Sequence, residues 1–272
     1  MNTVYNMDCI NGLKAMKDAY ADIIVCDPPY NIGKNFGNKS DKQTNEQYLE
    51  WCGEWIKECI RVLKPTGTLY IYGFSETLAF LRVMIDIDVR WLVWHYTNKV
   101  TPSLNFWQRS HESILCCTKG SPVFNRDDVR EPYTDNFLKN AAGKKRKATV
   151  GRFSNGETET TYTAHENGAL PRDVIKVSAL AGGAGKKERV DHPTQKPIEL
   201  CRKLLKASKN DGQTLLVVPF AGSGSECVAA VHENVTFIGF EINPDYVKLC
   251  NQRLQSISLE CLTHSSGSVV QS

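Results

Sequence analysis

The stretch TLLVVPFAGSGSECVAAV, residues 214–231, constrains the fold more than any other part of the chain. An apolar, β-branched run at 215–218 has the makings of a buried strand. Pro219 cannot donate to a sheet ladder, so the strand must stop there. Gly222 and Gly224 let the backbone turn sharply and approach a ligand with no Cβ in the way. A helical pattern resumes at once, over 223–232. A second strand at 236–240 runs into Glu241, 19 residues beyond Gly222. An acid at about 20 residues past a glycine-rich strand-to-helix turn is placed to accept hydrogen bonds from ribose hydroxyls. The dinucleotide fingerprint would need Gly or Ala at the sixth position, where this chain has Cys227, so a nicotinamide dinucleotide is disfavoured. No G-x-x-x-x-G-K-[ST] occurs, which excludes a P-loop nucleotidase. The element by itself says only that a nucleoside-bearing ligand fits. A tight turn with a solvated Glu241 stays open beside it.

The rest of the pattern agrees with an α/β fold. DIIVC at 22–26 reads as a buried strand, and the two prolines of DPPYN force a turn after it. Residues 44–64 carry apolar side chains at helical spacing, with Thr44 as N-cap and Pro65 and Gly67 as the stop. Strands are expected at 68–73, 91–95, 113–118, 214–218 and 236–240, and helices at 76–85, 197–207, 223–232 and 244–256. Alternation of this kind predicts a mainly parallel sheet flanked by helices. From 120 to 190 the periodicity is lost, over a length too great for a loop in a compact core. That region reads as a functional insertion, partly mobile. Residues 258–272 read as a disordered, Ser-rich tail.

Composition narrows the class. Hydrophobic residues make up 41% and charged residues 23%, which excludes disorder over most of the chain. A net charge of +3 excludes a polybasic binder, though not a local basic patch. Residues 120–190 hold thirteen Lys+Arg against nine Asp+Glu, so the excess lies there. Six basic residues and no acid fall between Lys139 and Arg152. No apolar run approaches the roughly 20 residues of a membrane span, and no secretory leader is evident at the N-terminus. The ten cysteines form no C-x-x-C pair, so neither a disulfide framework nor a metal site is expected. Buried, reduced thiols in a cytoplasmic protein are the expectation.

Two further motifs carry chemistry. In DPPYN, Asp27 can accept hydrogen bonds from an amino group and the rigid turn fixes carbonyls that can accept another. Tyr30 offers a flat face on which a base can stack. HPTQKP, residues 192–197, places Thr194 and Lys196 just ahead of a helix, where a carboxylate could be met. His192 has no partner at zinc-ligand spacing.

DPPYN, FAGSGS and HPTQKP together, with Glu241 and the early MDC at 7–9, resemble the S-adenosylmethionine-dependent DNA amino-methyltransferases. The motif order, DPPY first and cofactor glycines last, resembles the permuted class called β, over residues 1–257. The resemblance implies a Rossmann-like methyltransferase sheet. Residues 1–119 and 191–257 would form the catalytic and cofactor-binding parts, and 120–190 a target-recognition region. It implies a methyl transfer to adenine N6, since DPPY is usual for that amine and SPPY for cytosine N4. Asp27, Pro28, Pro29 and Tyr30 would hold and stack a flipped-out base. Asp8, Cys9, Asp27, Thr194, Lys196, Phe220, Gly222, Ser223, Gly224, Ser225 and Glu241 would line the cofactor. Asp8 falls near its adenine end, and Thr194 and Lys196 near its methionine end. One departure is Val218, where relatives often carry Asp before Pro-Phe. Lys144, Lys145, Arg146 and Lys147 would contact the phosphates of double-stranded DNA. Trp107 could face DNA or belong to the core. Further partners left open are a second copy of the chain and a companion restriction endonuclease, in the cytoplasm of a bacterium or archaeon or encoded by a phage. The alternatives are a cytosine N4 enzyme, an RNA or protein amino-methyltransferase, and a non-catalytic DNA-binding protein.

Overall fold

The computed structural model describes residues 2–34, 42–98, 103–152, 154–183 and 185–266, the side chains through 257. Its centre is β2 (Ala21–Cys26), buried at every position. A strand covered on both faces reads as an unbroken apolar run, as ADIIVC does. β3 (Leu63–Gly73) and β9 (Leu215–Val218) pair with it in parallel, one on each side. Beyond β9 lie β10 (Thr236–Glu241) and then β1 (Thr3–Asn6), both parallel. Beyond β3 lie β5 (His111–Thr118) and β4 (Asp88–His95), each antiparallel to its predecessor, then β8 (Val174–Lys176), parallel to β4. The sheet order is β1-β10-β9-β2-β3-β5-β4-β8. The mainly parallel sheet expected from the sequence is present.

Alternation along β2 divides two cores. Ile23 and Val25 face α5 (Ile198–Ser208), α6 (Ser225–His232) and α7 (Pro244–Ser266), where Leu204, Leu205, Cys227 and Cys250 are buried. Ile24 and Cys26 face α1 (Cys9–Lys14), α2 (Asn45–Val62) and α3 (Ser75–Arg82), where Leu13, Trp55, Ile56 and Leu78 are buried. From β2 the chain proceeds to β3, and from β9 to β10 on the other side. The gap beyond the carboxyl ends of β2 and β9 is therefore the point where the winding reverses, the usual ligand crevice of an open α/β sheet.

Several boundaries differ from the sequence pattern. Thr44 does cap α2, in a reciprocal capping box with Gln47. The helix stops at Val62, before Pro65, because Leu63 turns extended and pairs with Ala21. The ladder is then interrupted and resumes at Thr68 opposite Ile23. β1 and α1 were not anticipated; β1 has four residues with one buried, and α1 has six, too few for periodicity to register. α7 continues to Ser266, past the expected start of a disordered tail at 258, and no Gly or Pro interrupts it before Gly267. The expected disorder of 267–272 lies outside the described residues. Nine described cysteines are free and eight of them buried. Among the described residues no helix is long and apolar enough to cross a membrane.

The insertion is shorter than 120–190. Residues 125–172 form a compact unit of their own, while 173–190 belong with the main sheet. β8 supplies the reason: Ile175 and Val177 are buried, and the Val177 carbonyl accepts from Trp94 Nε1 at 2.9 Å. Within the smaller unit a 3-10 turn (Arg126–Val129) precedes α4 (Asp135–Asn140). β6 (Lys145–Lys147) then pairs antiparallel with β7 (Glu159–Thr161). Glu131 and Ala169 exchange backbone hydrogen bonds, and Tyr133 stacks on Phe137 at 4.6 Å. Val129 is the single buried apolar side chain among the unit's described residues.

Candidate active site and cofactor cleft

At the winding reversal lies a cavity of about 150 Å³. Met7, Asp8 and Cys9 line one part, Asp27, Pro28 and Pro29 another, and Phe220, Gly222, Ser223 and Glu241 a third. Thr194 and Lys196 complete the expected lining. Tyr30, Gly224 and Ser225 are near but do not border the cavity. Most of the residues singled out from three distant motifs therefore meet in one cleft.

The glycine turn has the conformation its sequence requires. Gly222 and Gly224 have φ of +48° and +80°, in the left-handed region that side chains avoid. A Cβ on Gly222 would lie 2.9 Å from His192 Nε2, so the turn and the HPTQKP loop close on each other. Glu241 braces this turn: Gly222 N donates to Oε2 and Asn243 N to Oε1, each at 2.8 Å. Burial raises the Glu241 carboxyl above its ordinary range, against the pull of those two amides. Asp8 caps α1, accepting from the amides of Ile10 and Asn11 at 3.0 and 3.2 Å. Phe220 packs on Trp51 and Trp55 at 5.7 and 5.4 Å between centroids.

Asp27 is held from several sides. Lys196 Nζ donates to Oδ1 at 2.7 Å and to Oδ2 at 2.8 Å, and Tyr30 OH donates to Oδ1 at 2.9 Å. Glu112 joins from β5, with Oε2 at 3.7 Å from Lys196 Nζ and 3.4 Å from Tyr30 OH. Tyr96 OH reaches Glu112 Oε1 at 3.5 Å. Lys196 is only 3% exposed. Burial alone would discharge it, but the carboxylates of Asp27 and Glu112 outweigh burial and hold it above an ordinary lysine. Burial and Asp27 likewise raise the Tyr30 phenol. Each carboxylate oxygen can accept about two hydrogen bonds. Oδ1 is thus saturated, whereas Oδ2 keeps one acceptor position. The DPPY turn is itself pinned, since Tyr48 OH donates to the Pro29 carbonyl at 2.8 Å.

The fit to a nucleoside-sulfonium cofactor follows from these features. There is a carboxylate braced beside the glycine turn, an aromatic and apolar wall at Phe220, Phe240 and Ile242, and a surplus of acids for a cation. A model of the DNA methylase family matches residues 21–252. The chain belongs to that family.

This methyltransferase is 33% identical over 260 residues to the type II methyltransferase M.HpaI of Haemophilus parainfluenzae, covering 91% of this chain and 73% of that one. It is 31% identical over 262 residues to the DNA adenine methyltransferase YhdJ of Escherichia coli K12, covering 94% and 83%. Among solved structures it is similar to an M1.HpyAVI–SAM complex, with a TM-score of 0.60, 21% identity and coverage of 93% and 98%. It is also similar to the cytosine-N4-specific PvuII DNA methyltransferase, with a TM-score of 0.63, 14% identity and coverage of 92% and 85%. At these identities the structural likeness speaks to the fold. DNA is the substrate of the methyltransferase and S-adenosylmethionine its methyl donor.

Two acids at or beside the methyltransferase's cleft escaped the motifs. Glu112 and Glu226 are acids inside apolar segments, HESILCC and SECVAAV, and that misfit was the available signal. His192 packs edge-on against Tyr246 at 4.7 Å, and burial, with Lys196 nearby, lowers it to about 4. Lys196, expected toward the methionine end of the cofactor, lines the cleft and grips Asp27 with its ammonium. Within the basic run GKKRK, Lys145–Lys147 form not an irregular loop but β6, every residue of which is exposed, with Lys144 just ahead of it. Lys145 pairs with Glu159 at 2.5 Å, and Arg146 donates to the Asn140 carbonyl. Trp107 is 88% exposed, which removes the core alternative.

Proposed function

We propose that the methyltransferase modifies the N6 amine of an adenine turned out of duplex DNA. The observation that carries the reading is Asp27, clamped by Lys196, with one acceptor position left on Oδ2 at the wall of the cofactor cleft. An exocyclic amine is a poor nucleophile because its lone pair is delocalised into the ring. Asp27 Oδ2 and the Pro28 carbonyl accept its two hydrogens and aim the lone pair at the methyl group. Tyr30 holds Asp27 through its hydroxyl and offers its ring to the base. Orientation and fixed charge supply the acceleration, with no covalent intermediate on the protein. Glu241 takes the ribose hydroxyls, Asp8 lies at the adenine end, and Gly222, Ser223 and Thr194 follow the rest of the cofactor. S-adenosylmethionine, when bound, supplies an electrophilic methyl group. The paired amine is out of reach inside a helix, so the base must be extruded.

The exposed Lys144, Lys145, Arg146 and Lys147 meet DNA phosphates in this reading. A homodimer, a companion endonuclease cutting the same sequence and a cytoplasmic location complete it. Asp27→Ala and Asp27→Asn should each cut transfer of labelled methyl groups to unmethylated DNA by roughly 10²–10³-fold or more. Their affinity for the cofactor, measured by calorimetry, should survive. Near-normal turnover by both would refute the role of Asp27. Nucleoside digestion of wild-type product should yield N6-methyladenine; N4-methylcytosine would move the enzyme to the other amine.

A further inference from the structure

Glu226 has no part in the chemistry so far described, yet it borders the cleft. It stands in the first turn of α6, directly after the glycine turn, and is 4% exposed. Apart from its own backbone N–H, the Cys201 thiol is its donor, at 3.6 Å, and among the described residues no other side chain donates to it. A thiol is a weak donor, and a buried carboxylate without strong donors is costly. The nearby cation, Lys196, already has Asp27 on two of its protons and Glu112 beside it. Such a carboxylate, facing a cleft that admits a zwitterionic ligand, lacks the cationic partner the ligand would bring.

We propose that Glu226 is the acceptor for the α-ammonium group of the methionyl part of S-adenosylmethionine. The inference rests on the cofactor reading of the cleft. The sulfonium must point at the target amine beside Asp27, and Glu241 lies at the ribose. The amino-acid tail is then left for the wall formed by Glu226, Thr194 and His192. An ammonium there restores to Glu226 a charged partner and hydrogen-bond donors, which water cannot do at 4% exposure.

Binding should then be linked to protonation. Without ligand, burial and the charge of Asp27 push Glu226 up to about 7. The ammonium favours the ionised form, so below about pH 7 binding must first expel a proton. The groups facing Glu226 are Asp27 at the end of β2, Tyr72 on β3, Lys196 ahead of α5, Cys201 on α5 and Cys227 on α6. Burial holds Tyr72 and Cys201 well above this range, Cys250 and burial do the same for Cys227, and Lys196 also stays above it. His192, at about 4, titrates below it.

Calorimetry on the intact protein between pH 5.5 and 8.5 tests this with S-adenosylhomocysteine and with its analogue carrying hydrogen in place of the α-amino group. The product should bind up to about tenfold tighter per pH unit as pH rises toward 7, then level off. The analogue meets Asp27 equally but should show no such rise. At pH 8, Glu226→Gln should weaken the product and S-adenosylmethionine by roughly ten- to a hundredfold, and the analogue less than twofold. A variant that weakens S-adenosylmethionine but not the product would assign Glu226 to the sulfonium and overturn the proposal. Equal losses for product and analogue, or a wild-type pH dependence shared by both, would also overturn it. The wild-type arm needs no variant to fold. Failure of the wild type to bind any of the three would instead refute the cofactor reading itself.

Discussion

Two lysine–carboxylate pairs of the molecule are alike in chemistry and opposite in setting. Lys196 and Asp27 meet at 2.7 Å with side chains 3% and 14% exposed. Lys145 and Glu159 meet at 2.5 Å with side chains 71% and 50% exposed. Out of water the first attraction is strong, and it must be, because both ions have lost their hydration. On the hairpin, water and salt screen the second to roughly 0–1 kcal/mol. The buried pair therefore fixes one geometry around Asp27. The exposed pair can exchange its carboxylate for another anion at little cost. The same contrast holds for the surroundings: two large cores flank the main sheet, whereas the 125–172 unit buries Val129 alone among its described apolar side chains.

The sharpest way to break the comparison is Lys196→Met. It leaves Asp27 and Glu112 buried beside each other with their shared cation gone. Removing one member of a buried pair costs about 3–5 kcal/mol. A fall of that order in denaturant unfolding is expected, with methyl transfer lost. A loss below about 1 kcal/mol would mean that the buried pair behaves like a surface one. Lys196→Arg should recover part of the stability, because the cation remains.

That pair also marks where the sequence stopped being legible. DPPYN, the glycine turn and Glu241 could be read because each imposes a local backbone demand: two prolines end β2, and two positive φ angles need glycine. The switch point followed from strand–helix alternation once β2 and β9 proved to be neighbours. The partner of Lys196 could not be read, since 169 residues separate it from Asp27 and pairing over that distance leaves no periodicity. Glu112 and Glu226 gain their meaning from burial, which only the folded sheet supplies. In the insertion, β8 was hidden because three residues are too few to show a period, so 173–190 was grouped with a region to which it does not belong.

Gly168→Ala sharpens the comparison from the other side. Gly168 has φ +103°, and an added Cβ would collide with the Glu131 carbonyl at the bridge that ties the small unit together. Strain of about 1–3 kcal/mol is expected there. A unit with so little buried apolar surface should respond locally. Hydrogen exchange should lose its protection across 125–172 while S-adenosylmethionine affinity stays within about twofold, since no described residue of that unit lines the cleft. Loss of cofactor binding in this variant would mean that the two regions unfold as one.

The smallest effect on stability, and the most telling for function, belongs to the hairpin. Replacing Lys144, Lys145, Arg146 and Lys147 with Gln removes one exposed ion pair and should change unfolding by less than about 1 kcal/mol. DNA affinity should nonetheless fall, and its dependence on salt should flatten by about one unit of logarithmic slope for each phosphate no longer neutralised. Stability and salt slope together separate what the side chains do for the fold from what they do for the ligand. A basic strand that is only a solvated face would leave both unchanged. A strand needed for the unit's integrity would move stability first. Unchanged stability with a flatter salt slope is the outcome peculiar to side chains whose partner is the nucleic acid.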